Sequence, residues 1–254
     1  MKLIVLGSGT SAPHPQRCSA GYWLETDHGS LLLDISADVP HRMAQEGLDW
    51  PNLDAIWISH FHLDHLGGLA PFLFGTRWAP HTRNRRKPLK IFGPSGLTPL
   101  VSTINDAANY KLLEQCFPVE IIEVSAGDEF QILPELQAAT LSTPHTSESL
   151  ALRLTAQNGK TFVYSSDTGF SEQLIDFAKR VTLLLLECSF RRNKPRSTHL
   201  ELADAIEIIT ACQPETAVLT HLYAEWEVGT VVAEAGAFWQ GKLVEAVDGL
   251  RLEI

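Results

Sequence analysis

The sequence of 254 residues has only four cysteines and no long apolar run. None of the cysteines forms a C-x-x-C pair, which argues against closely spaced thiol sites for metal or redox chemistry. We expect reduced thiols in a cytoplasmic protein, with a disulfide left open. No apolar stretch reaches the roughly 20 residues of a membrane-spanning helix, and Gly7 interrupts the first apolar run too early for a secretory signal. We therefore expect no membrane partner.

Basic residues are in the minority, since 20 lysines and arginines stand against 30 aspartates and glutamates, giving a formal net charge of −10. Because an acidic surface repels a phosphate backbone, extended nucleic acid is an unfavourable partner. Nine of the basic residues nevertheless lie in two short stretches. These residues are Arg83, Arg85, Arg86, Lys87 and Lys90, and Arg191, Arg192, Lys194 and Arg196. Such local clusters in an acidic chain favour a small anionic substrate.

Short apolar runs separated by turn residues predict a chain rich in strands. The predicted strands are 2–6, 21–25, 30–34, 55–59, 89–92, 119–123, 136–142, 150–154, 161–165, 182–186, 216–220, 242–245 and 250–254. Helical patterns cover 38–46, 69–73, 96–110, 171–180, 198–212 and 230–240. In the helix over 198–212 we expect Thr198 as N-cap and Glu201 as its capping-box partner. Two sheets packed face to face with helices outside suit this order, in a single domain over residues 1–254.

Four metal-binding side chains stand within six residues, directly after the apolar strand that ends at Ile58. His60 and His62 are two apart, so in an extended chain they project to the same side. Asp64 and His65 come after the chain turns, so their side chains can reach a second metal position. A lone histidine is most often a surface or hydrogen-bonded core group, but a cluster of this density would be costly to bury without a cation. The motif predicts two metal ions about 3.5–4 Å apart.

This H-x-H-x-D-H motif resembles that of the metallo-β-lactamase superfamily. The resemblance implies a four-layer αββα sandwich and three more ligands, each after a later strand, which His145, Asp167 and His221 supply in the family's order. It further implies two ligand groups with Asp167 as the bridge: His60, His62 and His145, and Asp64, His65 and His221. Two divalent ions are then expected, zinc in the first place, with manganese or iron as alternatives.

The opening G-S-G-T-S-A-P over residues 7–13 resembles that of the ribonuclease Z and cyclic-phosphodiesterase branch of the superfamily. The branch implies that Glu187 orients His199, and that His199 protonates the leaving oxygen. The plainer alternative is that Glu187 caps a turn and His199 is a solvated residue at a helix start.

Only 21 residues, a predicted hairpin, separate His145 from Asp167. Bacterial ribonuclease Z carries a long tRNA-binding arm there, so the chain looks more like compact relatives that act on small cyclic phosphates. One of those relatives, the phosphonate-pathway phosphodiesterase, has an extra cysteine-rich metal site near its N-terminus. This sequence has no counterpart of that site, since Cys18 is the one cysteine in the region.

The hypothesis with most support is therefore a phosphodiesterase for a small or cyclic phosphodiester. A metal-bridged hydroxide, held by Asp64, would attack phosphorus. Three alternatives stay open: a lactone, thioester or sulfate-ester hydrolase on the same metals, a tRNA 3′-processing endonuclease, and a metal-stabilised binding protein. A homodimer also stays open, with six tryptophans as candidate contact surface.

Overall fold

Fourteen strands and seven α-helices occur in the described part of the chain, residues 1–236, 238–239 and 241–254 of a computed structural model. The strands are β1 Lys2–Gly7, β2 Gly21–Thr26, β3 Gly29–Leu33, β4 Ala55–Trp57, β5 Leu89–Pro94, β6 Val119–Val124, β7 Glu129–Leu133, β8 Leu136–Ser142, β9 Leu150–Ala156, β10 Thr161–Tyr164, β11 Leu183–Glu187, β12 Thr216–Thr220, β13 Lys242–Glu245 and β14 Arg251–Glu253. The helices are α1 Val39–Gln45, α2 Leu63–Leu66, α3 Leu69–Trp78, α4 Leu97–Ala107, α5 Glu172–Phe177, α6 Leu202–Cys212 and α7 Val231–Ala235. Short 3-10 turns span Trp50–Asn52 and Pro80–Thr82.

The strands form two mixed sheets of seven strands each. The first has the order β14-β1-β2-β3-β4-β5-β6, and the second β13-β12-β11-β10-β9-β8-β7. In each sheet the chain begins with antiparallel neighbours and continues with parallel ones: β3 to β6 are parallel in the first, and β10 to β13 in the second. Parallel neighbours need crossover connections, and the helices supply most of them.

Three apolar clusters define the layers. Alternate residues of a strand point to opposite faces, so Leu3 and Val5 join the cluster between the two sheets, whereas Ile4 and Leu6 join an outer cluster. That outer cluster includes residues of α1, α3 and α4, and a third cluster joins the other sheet to α5, α6 and α7. The predicted αββα sandwich is confirmed. Among the described helices, none combines the length and hydropathy needed to cross a lipid bilayer.

The predicted elements occur, with differences at their ends. Strand β7 was not predicted, and neither was the single helical turn α2. Helix α3 extends to Trp78, five residues beyond the prediction, whereas α4, α5 and α7 are shorter than predicted. Residue 240, the predicted end of the last helix, lies outside the described residues. Three tryptophans are buried (Trp23, Trp57 and Trp226), while Trp78 is 69% exposed. A homodimer and a single-domain organisation both remain predictions.

The predicted start of helix α6 at Thr198 is wrong. The helix begins at Leu202, with Glu201 as N-cap, and the carboxylate of Asp204 accepts a hydrogen bond from the Glu201 backbone N–H at 3.0 Å. Residues 197–199 form a turn and a bend that do not join the helix, because other partners take the backbone groups of Leu200. The N–H of Leu200 donates to Glu187 at 3.2 Å, and its carbonyl accepts from the N–H of Phe190 at 3.1 Å.

A buried ion pair fixes the glycine-containing turn after β1 to the far edge of the second sheet. The guanidinium of Arg17, fully buried, contacts the carboxylate of Glu245 at 2.5 Å. It also donates to the Ser8 hydroxyl at 2.9 Å and to the Ala246 carbonyl at 2.7 Å. The same carboxylate accepts from the Gly229 N–H at 2.8 Å. Each desolvated charge therefore has hydrogen-bond partners besides the other, while Nε of Arg17 has none among the described residues.

Replacement of Arg17 by methionine should lower the free energy of unfolding by about 3–5 kcal/mol, because it leaves the Glu245 carboxylate buried without its counter-charge. Lys2→Met is the matched control, since it breaks the half-exposed Lys2–Glu25 pair at 3.1 Å and should cost less than about 1 kcal/mol. Urea denaturation of the metal-loaded proteins measures both. Equal losses in the two variants would contradict the importance given to the buried pair.

Candidate metal centre

The polar residues of the centre lie at the carboxyl ends of strands. Strands β8 and β10 both pair antiparallel with β9, and β11 and β12 run parallel to β10. All four therefore end at the same edge of the second sheet. His145 follows β8, Asp167 follows β10, Glu187 ends β11 and His221 follows β12. Strand direction alone brings together residues that are far apart in sequence.

Strand β4 brings the H-x-H-x-D-H motif to the same edge from the first sheet. His62 forms the N-cap of α2, with an extended backbone at φ −66° and ψ 146°. Asp64 and His65 lie within that helical turn. The turn gives the second half of the motif a different direction from the first, as the spacing predicts. The backbone N–H of Leu150, at the start of β9, donates to the Ser59 carbonyl at 3.1 Å and joins the two sheets at this point.

Asp167 lies between two groups of histidines. Its Oδ2 is 3.9 Å from Nε2 of His60 and 3.6 Å from Nε2 of His145. Its Oδ1 is 3.2 Å from Nε2 of His65 and 3.3 Å from Nε2 of His221. Each carboxylate oxygen thus faces a different histidine pair, which is the placement that a bridging ligand requires.

His62 and Asp64 complete the two groups. Nδ1 of His62 lies 3.1 Å from Nε2 of His145. Oδ2 of Asp64 lies 3.5 Å from Nε2 of His221 and 3.8 Å from Nε2 of His65. The resulting groups are His60, His62, His145 and Asp167, and Asp64, His65 and His221. The structure brings together all seven predicted residues in the grouping that the resemblance implies. Their role as ligands remains a prediction.

Two buried atoms of the centre have no hydrogen-bond partner within the described part of the chain: Nε2 of His60 and Oδ1 of Asp167. Buried polar atoms are almost always hydrogen-bonded, so such atoms need an explanation. Both point toward the centre of the group, where a divalent cation would satisfy them. The donor set contains imidazole and carboxylate groups and no thiol, which fits zinc, manganese or iron.

Four of the histidines have their other ring nitrogen fixed by a hydrogen bond. The Nδ1 contacts are His60 to Ser59 Oγ at 3.0 Å, His65 to Asp34 at 2.7 Å, His145 to the Thr198 carbonyl at 2.9 Å and His221 to Ser189 Oγ at 3.0 Å. Fixing Nδ1 sets the orientation of each ring and leaves Nε2 to face the centre.

Asp34 is the member of this outer layer that the sequence analysis missed. Its fully buried carboxylate accepts from His65, from the backbone and hydroxyl of Ser59 at 2.7 Å each, and from the Tyr164 hydroxyl at 2.7 Å. Asp34 itself adopts the left-handed backbone conformation, with φ 55°. A signal was present, because an acidic residue ends the apolar run Leu31–Leu33. An acidic group at the end of a buried strand needs partners.

Burial and the neighbouring charges shift the pKa values of three members of the centre. Burial raises the pKa of Asp167, but the positive charges of His221 and His65 outweigh it and leave this pKa well below its usual range. Burial lowers the pKa of His65, but Asp167 and Asp34 outweigh it and leave this pKa well above its usual range. Burial and the neighbouring charge of His65 lower the pKa of His60. Metal binding at this centre would compete with protons for the same ring nitrogens and carboxylate oxygens.

Glu187 and His199 lie next to each other beside the centre. Nδ1 of His199 is 3.0 Å from Oε1 of Glu187 and 4.0 Å from Oδ2 of Asp167. Burial lowers the pKa of His199, but the hydrogen bond and charge of Glu187 outweigh it and raise this pKa above its usual value. Glu187 also accepts from the Thr168 N–H at 2.6 Å and the Ser189 hydroxyl at 2.5 Å. The contact matches the predicted pair, whose catalytic role the structure leaves as a prediction.

A cavity of about 540 Å³ opens onto the centre. Its lining includes Ser11, Phe190, Arg196 and Tyr223 beside the candidate ligands. The basic stretch over 83–90 contributes nothing to this lining. Arg85, for example, is buried and donates to the carbonyls of neighbouring loop residues. Of the two basic stretches, only the one over 191–196 reaches the cavity.

Asp34→Asn should weaken metal binding about 10- to 100-fold, because an amide cannot accept all four hydrogen bonds and no longer fixes the ring of His65. Competition with a chelator, on protein shown to be folded by circular dichroism, measures the affinity. Asp54→Asn is the control. The Asp54 carboxylate lies away from the centre and accepts a hydrogen bond of 3.1 Å from the Ser30 N–H. If Asp34→Asn kept the wild-type affinity, the orienting role would be wrong.

Comparisons with known proteins identify several that are similar over most of their length. Among curated proteins, the chain is 27% identical over 257 residues to the uncharacterized protein Rv1339 of Mycobacterium tuberculosis, covering 100% of this chain and 92% of that protein. It is 25% identical over 261 residues to the probable metallo-hydrolase YhfI of Bacillus subtilis, covering 95% and 100%. It is 24% identical over 279 residues to a ribonuclease Z of Halalkalibacterium halodurans, covering 89% of each chain.

Solved structures give the same fold. The crystal structure of the metallo-β-lactamase fold protein YhfI from Bacillus subtilis matches with a TM-score of 0.86 and 22% identity, over 99% of this chain and 98% of that one. A diphosphatase from the PhnP family matches with a TM-score of 0.78 and 19% identity, over 100% and 97%. A family model described as the anti-Pycsar protein Apyc1 matches residues 1–236. The chain therefore belongs to the family of the anti-Pycsar protein Apyc1, in the ribonuclease Z-, YhfI- and PhnP-like branch of the metallo-β-lactamase fold.

Proposed function

We propose that the protein is a metal-dependent phosphodiesterase that hydrolyses a small cyclic phosphodiester. One arrangement carries the proposal: the Glu187–His199 pair stands beside two groups of ligand-type side chains that meet at Asp167. A candidate proton donor next to a candidate dinuclear metal site is what hydrolysis of a phosphodiester needs, because the leaving alkoxide must be protonated.

The seven residues of the two groups would hold two divalent ions, with Asp167 between them. When bound, such ions stabilise negative charge on a phosphoryl oxygen and lower the pKa of a coordinated water. The carboxylate of Asp64, on the cavity side of the second group, is placed to hold and orient the attacking water by a hydrogen bond. The fixed Nδ1 contacts keep the imidazoles from reorienting during turnover.

His199 is the residue we assign to protonation of the leaving oxygen. Its Nδ1 is engaged by Glu187, so Nε2 is the nitrogen that remains for the substrate. Its raised pKa keeps the ring protonated closer to neutral pH, which suits a general acid. Glu187 is a positioning residue, since it contacts His199, the Ser189 hydroxyl and backbone N–H groups, and it is not among the described residues that line the cavity.

Three observations favour a small phosphodiester over the alternatives. The connection between His145 and Asp167 is a hairpin of β9 and β10 with a short turn, which leaves no arm for a tRNA. Arg196 lines the cavity and offers a cation to a phosphate, which a lactone or thioester would not need. Two similar proteins are named for action on phosphate linkages, a ribonuclease Z and a diphosphatase.

Protein purified without added metal should contain about two zinc, manganese or iron ions per chain. It should hydrolyse bis(p-nitrophenyl) phosphate and a nucleoside 3′,5′-cyclic phosphate. Chelation should abolish both activities, and readdition of metal should restore them. Asp167→Ala should lose most of the metal, whereas Asp27→Ala, an exposed carboxylate, should keep it. Mass spectrometry measures the metal content of each variant. A lactone and a thioester, assayed in parallel, test the alternative substrate classes. Cleavage of only the lactone or thioester would refute the phosphodiesterase.

His199→Gln should keep its metal but lose roughly 100-fold or more in kcat on the cyclic phosphodiester, whose alkoxide needs a proton. The loss should be much smaller on bis(p-nitrophenyl) phosphate, because p-nitrophenolate leaves without protonation. His41→Gln, at an exposed histidine outside the cavity, serves as the control. An equal loss on both substrates would rule out the proton-donor assignment.

A further inference from the structure

The loop between β11 and α6 carries four basic residues, and two of them hold the loop in place. The guanidinium of Arg191 contacts Glu234, with Nε at 2.8 Å from the carboxylate. Lys194 forms an ion pair with Asp204 at the start of α6, and its backbone N–H donates to Glu201 at 3.0 Å. These two cations are therefore already neutralised by acidic partners within the protein.

The other two arginines of the loop have no hydrogen-bond or ion-pair partner among the described residues, and they face different places. Arg196 lines the cavity at the metal centre, where it is the one lysine or arginine in the lining that the structure describes. Arg192 lines a separate groove of about 680 Å³ that includes Leu202 and Phe238. The charge of Arg196 is therefore available to an anionic ligand in the cavity. Arg192, which also has no such partner among the described residues but lies elsewhere, offers the matched control variant.

Two aromatic rings line the same cavity. Phe190 and Tyr223 stack with ring centroids 4.7 Å apart and an interplanar angle of 18°. Both are half-buried, and neither belongs to the three apolar core clusters. Large aromatic side chains usually contribute to the core. This stacked pair instead lies outside the core and beside the polar centre, where it can contact a ligand in the cavity.

The aromatic pair is held in a fixed position relative to the proposed proton donor. The backbone N–H of Tyr223 donates to the Ser189 carbonyl at 3.1 Å. The Phe190 N–H and carbonyl form hydrogen bonds with Leu200 and Leu202, which closely follow His199 in the chain. The ring of Phe190 meets the ring of His199 edge-on, with centroids 6.1 Å apart. A group stacked on this pair would thus lie close to the reacting end of the substrate.

We propose that Phe190 and Tyr223 form a stacking wall for a planar ring of the substrate, and that Arg196 binds its phosphate. These three residues then set the specificity of the cavity for phosphodiesters that carry a nucleobase. The inference rests on the proposed phosphodiesterase function and adds the residues that select the substrate. Stacking of a base on an aromatic side chain tolerates different bases, so the wall selects for the presence of a base more than for its identity.

Two probes that differ only in the ring test the wall. They are adenosine 3′,5′-cyclic phosphate and methyl ribofuranoside 3,5-cyclic phosphate, which lacks the base. For the wild-type enzyme KM should be at least about tenfold lower for the nucleotide. Tyr223→Leu and Phe190→Leu should raise KM for the nucleotide toward that of the ring-free probe and leave the ring-free probe unchanged. Tyr110→Leu, at an exposed tyrosine outside the cavity lining, should change neither.

The same probes test Arg196. Arg196→Gln should raise KM about tenfold for both probes, with metal content unchanged, and Arg196→Lys should recover part of the loss. Arg192→Gln should leave both values at the wild-type level. If Arg196→Gln behaved like Arg192→Gln, the phosphate contact would be wrong.

A binding measurement separates this inference from the function on which it rests. Calorimetry on the metal-loaded protein should give tighter binding of adenosine 5′-monophosphate than of ribose 5-phosphate, and Tyr223→Leu should remove the difference. Hydrolysis of both cyclic probes with equal KM, together with equal binding of the two monophosphates, would overturn the stacking wall while the phosphodiesterase stands. If neither cyclic probe were hydrolysed by metal-loaded enzyme, the proposed function would fail, and this inference with it.

Discussion

The carboxylate of Asp34 links the two sheets to the metal centre. It directly follows β3 in the first sheet and accepts hydrogen bonds from Ser59 after β4, from His65 in α2 and from Tyr164 at the end of β10 in the second sheet. A fully buried charge is tolerated only when its oxygens are satisfied. The sandwich must therefore close in one register for Asp34 to be satisfied, and the same closure orients His65.

Ser189 connects the metal centre to the residues that we propose bind the substrate. Its hydroxyl donates to Glu187 at 2.5 Å and lies 3.0 Å from Nδ1 of His221 and 3.3 Å from Nδ1 of His199. Its carbonyl accepts from Tyr223. One short segment after β11 thus sets the position of a candidate ligand, the proposed proton donor and the aromatic wall. Because these contacts share atoms, a shift of this segment would disturb metal binding, proton transfer and recognition together.

Close backbone approach keeps the loops of the centre in contact. A Cβ on Gly169 would lie 2.1 Å from the Ser197 carbonyl, so only glycine lets the loop after Asp167 reach the loop before His199. His221 adopts a left-handed backbone conformation with φ 55°, which is unfavourable for a residue with a side chain. Such local strain is tolerated where the surroundings fix the conformation, and here strand β12 and the Ser189 contact do so.

The sequence by itself determined most of the strands, because a strand buried on both faces leaves a short continuous apolar run. The four-layer sandwich was predicted from the resemblance carried by the metal-binding motif. The sequence also determined the H-x-H-x-D-H cluster and the order of the later candidate ligands at strand ends. Tertiary structure alone decided the remaining features. Asp34 and Tyr164 meet across 130 residues, and no local pattern encodes which buried donor finds which carboxylate. The two basic stretches look alike in sequence, yet Arg85 is bonded to loop carbonyls while Arg196 faces the cavity, because a cation's partner depends on packing. Helix α6 starts at Leu202 and not at Thr198 for the same reason, since Glu187 and Phe190 take the backbone groups of Leu200.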